Sequence, residues 1–229
     1  MERNGLPQEG LKLIACITML IDHIGAIFFP SLRILRIIGR LSFPIYCFLL
    51  VEGAAHTRHA GKYALRLFIC ALISELPYDL AFGGQLSLKS LTVMASLLLG
   101  FGMLWAMGKA TKWWMKAGII GISMVLARIF HVSYDWRGTL VIAVFALTRE
   151  KPFAWLLQLV CLSVLFWGMP SAKLDLGFLL LPIQLFGLLA LIPIALYSGK
   201  KVTNSRAVQW GFYLFYPLHL LMLYLISLI

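Results

Sequence analysis

The stretch GLKLIACITMLIDHIGAIFF, Gly10 to Phe29, is a run of twenty residues broken only by Lys12 near its start and by Asp22-His23 near its end. Twenty helical residues rise about 30 Å, the thickness of a bilayer's hydrocarbon core. Backbone N–H and C=O groups in hydrocarbon must pair within their own segment, so the run is expected to be a helix. Similar runs recur at about 11–30, 38–55, 63–83, 88–107, 116–132, 137–148, 152–169, 176–197 and 207–228. Alternating strand-like segments are absent. The sequence therefore predicts an all-α, polytopic transmembrane helix bundle of about nine spans, a single integral membrane domain over 1–229. The sixth run is short for a crossing, and a re-entrant segment or a loop is its alternative, leaving eight spans.

Composition points the same way. Hydrophobic residues make up 61% of the 229 and charged residues 13%, against about a quarter charged in soluble domains. The net charge of +11 does not imply nucleic acid, because the Lys and Arg residues punctuate the gaps between apolar runs instead of forming one basic segment. Cys16, Cys47, Cys70 and Cys161 fall in or beside apolar runs without CxxC spacing. They are expected to be buried small residues, with neither a disulfide framework nor a metal site. No small-residue cleavage site follows the first run, which is expected to be a retained helix.

Loop charges set the orientation. Nine spans place thirteen Lys and Arg on the side of the N-terminus and seven on the other: Arg33, Arg36, Arg40, Lys89, Arg128, Arg137 and Lys173. The positive-inside rule then puts the N-terminus in the cytoplasm. Trp113, Trp114, Trp136, Trp155 and Tyr197 lie near span ends, as an interfacial aromatic belt requires.

Function is sought in the polar residues embedded in the spans. Lys12 and His23 are eleven steps apart, and eleven steps of about 100° return almost to the starting direction. Both therefore lie on one stripe, with Cys16 and Met19 between them and His23 roughly 16 Å deeper than Lys12. An ionisable pair such as Asp22-His23 at that depth calls for a cavity or a partner, whether for chemistry or for helix packing. Histidine, ionising near neutrality, suits a general base.

Three further clusters follow. Arg33 and Arg36 read as lipid-headgroup contacts, whereas Arg40 at the head of the second span calls for a partner such as Asp22 or a bound anion. Glu52 stands twelve residues on. His56, Arg58, His59, Lys62 and Arg66 form a basic collar that fits phosphates or simply a positive-inside loop. Glu75 and Asp79, four residues apart around Pro77-Tyr78, share a helical face suited to lining a cavity. Asp135 lies in YDWRG (134–138), Gln184 is a polar residue in the eighth run, and Tyr216 and His219 sit in the last. His131, at a span end, reads as interfacial.

KLIACITMLIDHIG, RIIGRLSFPIYCFLLVEGAAHTR, RLFICALISELPYDLAF, YDWRG and FYLFYPLHL together resemble the TraX family over nearly the whole chain. That family is linked to N-terminal acetylation of conjugative pilin, with relatives labelled as fimbrial assembly or conjugal transfer proteins. It is in turn remotely similar to membrane acyltransferases that use acetyl-CoA. In those, a basic residue and a catalytic histidine are separated by ten residues, which here falls on Lys12 and His23, and a late Tyr-x-x-His element matches Tyr216 to His219.

The resemblance implies a multi-pass protein of the bacterial plasma membrane, embedded in lipid. Acetyl-CoA would be its co-substrate, held by Lys12, Arg58, Lys62 and Arg66. His23 would be base or acyl acceptor, Asp22 would orient it, and Arg40 would stabilise the oxyanion. Glu52, Glu75, Tyr78, Asp79, Asp135, Tyr216 and His219 would line the acceptor side, for a pilin-like N-terminus or a surface glycan. Two other classes fit mid-membrane charge: a secondary transporter, which should more often show an inverted repeat, and a non-catalytic assembly factor, which would not need this polar set.

Overall fold

The structure, a computed structural model, describes residues 5–83, 90–175, 177, 179–203 and 205–229. Arg3 and Lys89 of the charge comparison, and the starts of the fourth and eighth runs, lie outside them. In chain order the helices are α1 (Gln8–Ile27), α2 (Arg33–Gly39), α3 (Ser42–His56), α4 (Ala60–Gly83), α5 (Val93–Lys109), α6 (Trp113–Ile129), α7 (Asp135–Thr148) and α8 (Ala154–Gly168). A hairpin of β1 (Lys173–Asp175) and β2 (Leu180–Pro182) follows, then a 3-10 segment (Ile183–Ala190), α9 (Leu191–Ala195) and α10 (Arg206–Ser227).

The first helix forms where expected. Pro7 is its N-cap, with φ already fixed near the helical value, and Glu9 in the first turn favours the positive end of the helix dipole. The chain leaves the helix at Phe28, two residues before Pro30. Gly39, Arg40 and Leu41 bend the second run into α2 and α3, which together cover Arg33–His56.

Three stretches are long and apolar enough to cross a membrane: Gln8–Ile27, Arg33–His56 and Arg206–Ser227. The helix α4 is as long, at 24 residues, but carries Lys62, Arg66, Glu75 and Asp79. Val93–Lys109, Ala154–Gly168 and Ile183–Ala195 are shorter apolar helices. The short sixth run is helical as α7, and its 14 residues rise about 21 Å. It is buried on several sides, through Val141, Ile142, Ala143 and Phe145, so it is an inner helix packed among α3, α5, α6 and α8.

Two expectations are corrected. The eighth run, 176–197, is not one regular helix: its first part belongs to the β1–β2 hairpin, so the described chain is not purely α-helical. Gly177, at φ +82°, turns the hairpin, and Pro182 and Pro193 withdraw two N–H donors from the stretch that follows. Among the cysteines, Cys16, Cys47 and Cys70 are buried, but Cys161 is exposed on the outer side of α8.

The outer surface is apolar. Trp155, Val160, Val164 and Trp167 of α8 are exposed, as are Ile122, Val125 and Ile129 of α6. Contiguous apolar faces of this kind belong against lipid and not water. Helix ends gather at two poles. At one, Leu6 pairs with Leu196 and Ser198 through backbone hydrogen bonds of 2.7 and 2.9 Å, and Arg149 at the end of α7 reaches Glu52 near the end of α3. A Cβ on Gly5 would lie 2.4 Å from the Leu196 carbonyl oxygen, so only glycine permits that approach. At the other, Leu91 pairs with His131 and Ser133, and Arg33 donates to the Lys173 carbonyl.

Candidate functional site

Three polar assemblies arise from this packing. The first is a cavity of about 490 Å³ at the pole that carries the start of α1. Lys12 from α1, Arg58, Arg66 from α4 and Lys201 supply its positive charge. Tyr46, Tyr63, Tyr197, Phe212 and Tyr213 supply its aromatic walls. Lys12 sits over the Phe212 ring at 5.3 Å, and the Arg66 guanidinium lies 5.6 Å from the Tyr63 ring and 5.8 Å from that of Tyr213. Cations on aromatic faces are held in place without neutralising their charge. Arg66 Nε is buried with no hydrogen-bond partner among the described residues.

Of the basic collar read from the sequence, His56, Arg58 and Arg66 converge here, and Lys12 of the expected donor set joins them. Lys62 does not: it is exposed and lines no part of the cavity. Lys201 is an addition that only the return of the chain before α10 could reveal. Glu52 also lines the cavity, with Arg149 Nε donating to its Oε1 at 2.6 Å and His56 Nδ1 3.7 Å from its Oε2. Hydrogen bonding to Glu52 holds the Arg149 guanidinium firmly in its charged form.

The second assembly lies further along α1. His23 Nδ1 is 2.7 Å from His219 Nε2, with the two rings parallel within 4° and their centres 5.0 Å apart. The rings therefore meet edge to edge through one hydrogen bond. His219 Nδ1 is also 2.7 Å from the Phe215 carbonyl oxygen, one turn back on α10. A carbonyl only accepts, so Nδ1 of His219 carries a hydrogen, and in the neutral ring Nε2 carries a lone pair. His23 must then donate from its Nδ1, leaving its own Nε2 as a lone pair. The backbone thus fixes both tautomers and leaves Nε2 of His23 as a base. Tyr216 and Phe82 stand edge-on to His23, at 6.1 and 5.5 Å between ring centres.

Between cavity and histidines lies Tyr46, whose hydroxyl is 3.2 Å from Cys16 Sγ on the stripe that joins Lys12 to His23. His23 does not itself line the cavity.

The third assembly occupies the opposite pole. Arg40 Nη2 donates to Asp22 Oδ1 at 2.6 Å, and Arg36 Nη1 donates to Asp22 Oδ2 at 2.7 Å and to its carbonyl oxygen at 3.0 Å. Arg40 donates further to the Arg36 carbonyl and, from Nη1, to Gln184 Oε1 at 3.2 Å. Gly39 lets α2 press onto the carboxylate, since a Cβ there would sit 2.1 Å from Asp22 Oδ1. The expected pairing of Arg40 with Asp22 is present. The expected orientation of His23 by Asp22 is not: both carboxylate oxygens face arginines, and adjacent helical residues point in different directions. The side chain in hydrogen-bond contact with His23 is His219. Arg36, read as a headgroup contact, is the second partner of Asp22; its i,i+4 spacing from Arg40 was the available signal.

The remaining candidates are dispersed. Glu75 Oε1 accepts from Thr92 N and Oγ1 at 3.0 and 2.9 Å, bracing α4 against α5. Asp79 is buried, and Tyr78 packs on Phe82 at 5.0 Å. Asp135 pairs with Arg128 at 2.8 Å, apart from the histidines. Tyr134 and Asp135 both adopt positive φ, 65° and 50°, as the chain turns into α7. His131 is exposed, at φ 48°. Among the described residues no group of His, Cys, Asp and Glu is arranged to hold a metal.

Long apolar helices, a lipid-facing surface and interior charge define a polytopic helical membrane protein. The chain belongs to the TraX family: the profile described as "TraX protein" matches residues 7–227. It is 31% identical, over 93% of its length and 92% of the relative's, to the probable fimbrial assembly protein FimC, serogroup H1, of Dichelobacter nodosus. It is 29% identical to the uncharacterized protein RP591 of Rickettsia prowazekii (strain Madrid E), over 61% of this chain and 54% of that one. No solved structure matches.

Proposed function

We propose that the chain is a membrane acyltransferase of the bacterial plasma membrane, taking acetyl from acetyl-CoA to a pilin-like N-terminus or a cell-surface acceptor. The observation that carries this reading is the His23–His219 pair, in which a backbone carbonyl leaves Nε2 of His23 free to take a proton. The cationic cavity suits the phosphates of the donor, held by Lys12, Arg58, Arg66 and Lys201. The donor's acyl arm must then pass Tyr46 to reach the histidine.

Nine passages with the N-terminus cytoplasmic fit this arrangement. The α1 start, the α3 end, the α4 start, the α7 end and the α10 start gather at the cavity, where a cytoplasmic donor would enter. In the reaction, Nε2 of His23 takes a proton from the acceptor amine or hydroxyl as that group attacks the thioester carbonyl, and the CoA thiolate leaves. His219 holds the imidazolium through the shared hydrogen bond.

The name of the Dichelobacter relative also favours a second reading, a pilus assembly factor without catalysis. Purified protein given labelled acetyl-CoA separates the two. An enzyme transfers or hydrolyses the acetyl group, loses this with His23→Ala, and gains melting temperature with CoA. If His23→Ala is as active as the parent, the assignment to His23 is wrong.

A further inference from the structure

The Asp22 assembly is charged beyond what its own partners balance. Arg36 and Arg40 bring two positive charges, and among the described residues Asp22 is the one carboxylate that pairs with them. The sum of +1 stands in a region where unpaired charge is costly. Arg33, which donates to the Lys173 carbonyl, adds further positive charge at this pole.

Unspent donors point the same way. Arg36 uses only Nη1, so Nε and Nη2 make no hydrogen bond among the described residues, and its side chain keeps 30% exposure. Gln184 is 2% exposed, and its Nε2 is buried without a partner among the described residues. Its amide cannot simply be turned over, because Arg40 Nη1 donates to Oε1 and would face another donor. A buried donor left without an acceptor is a marked exception in a folded protein. Gly187 brings the 3-10 segment against Arg40, where a Cβ would meet its carbonyl oxygen at 3.2 Å. The glutamine is thus built into the charged assembly.

We propose that Arg36, with Gln184 and Arg40 behind it, binds a singly charged oxyanion, the phosphodiester of an anionic molecule at the membrane surface. One such group cancels the +1 of Arg36, Arg40 and Asp22 and accepts from the Arg36 donors that Asp22 does not use, whose planar fork suits phosphate oxygens. The site is distinct from the cationic cavity, which lies at the other pole. It stands apart from the acyl-transfer reading, because binding is measured with no acyl donor present.

The test is native mass spectrometry of the detergent-purified protein with phosphatidylglycerol, alongside melting curves with inorganic phosphate. Arg36→Gln and Gln184→Met are compared with Arg128→Gln, which removes a charge at the same pole outside the site. Gln184→Met leaves both Asp22 ion pairs in place and carries the comparison if Arg36→Gln does not fold. The parent and Arg128→Gln should retain phosphatidylglycerol, and the two site variants should bind it about tenfold more weakly, the loss of one charge-assisted hydrogen bond. Stabilisation of the parent, but not the site variants, by phosphate without lipid retention assigns the site to a soluble phosphate. Equal lipid retention by all four proteins, or no response to either probe, overturns the proposal.

Discussion

Nδ1 of His23 lies 2.7 Å from Nε2 of His219, joining the first and last helices across 196 residues of chain. Because His219 gives its other nitrogen's hydrogen to the Phe215 carbonyl, one backbone acceptor sets the state of both rings. If the protein transfers acetyl groups as proposed, replacing His219 should therefore lower that activity without touching the cationic cavity. His219→Ala should reduce kcat about 100-fold, the low end of what a positioned base contributes, with donor KM little changed. A donor KM that rises with kcat intact would remove His219 from this role.

The same chain of hydrogen bonds fixes the sign of the pH dependence. Proton abstraction needs Nε2 of His23 unprotonated, so kcat should rise with pH as that nitrogen loses its proton and then level off. The measurement is a kcat profile for the parent and for His219→Gln. A kcat that falls as pH rises from the acid side would contradict a histidine base.

The Asp22 ion pairs lie at side-chain exposures of 11–30%, dry enough that removing one partner strands the others. Asp22→Ala should cost about 3–5 kcal/mol, seen as a lower detergent melting temperature. Arg36→Ala, which leaves Arg40 on the carboxylate, should cost less.

Gly39 offers a steric test of the same contact. Gly39→Ala places a methyl 2.1–2.4 Å from the Asp22 side chain and should destabilise by about 1–3 kcal/mol. Gly102→Ala, where a Cβ meets nothing within 4 Å, should be neutral or slightly stabilising. Equal melting temperatures would show that α1 and α2 can separate without loss.

At the cavity, CoA should raise the melting temperature of the parent, and Arg66→Ala should weaken the effect about tenfold in ligand concentration. Lys62→Ala should leave it unchanged, because Lys62 lies outside the cavity. An equal loss from both variants would indicate diffuse attraction and not a site.

Apolar helices and local stripes were legible in the sequence because both are properties of one segment. Apolar length sets whether a helix suits a bilayer, and 3.6 residues per turn puts Lys12, Cys16 and His23 on one face whatever surrounds them. The family followed from motifs carried in order along the chain. The eighth run misled for the same local reason: its hydrophobicity reads as a span, while Gly177 turns a hairpin and Pro182 ends it at the start of a 3-10 segment. What only the tertiary structure decided is who meets whom. His219 rather than Asp22 holds His23, Arg36 joins Arg40 on Asp22, and Lys201 completes the cavity, because those contacts cross 14 to about 200 residues of chain. Helical periodicity gives the direction of a side chain about its own axis. The partner it meets is set by how helices pack, and that packing is cooperative over the whole bundle.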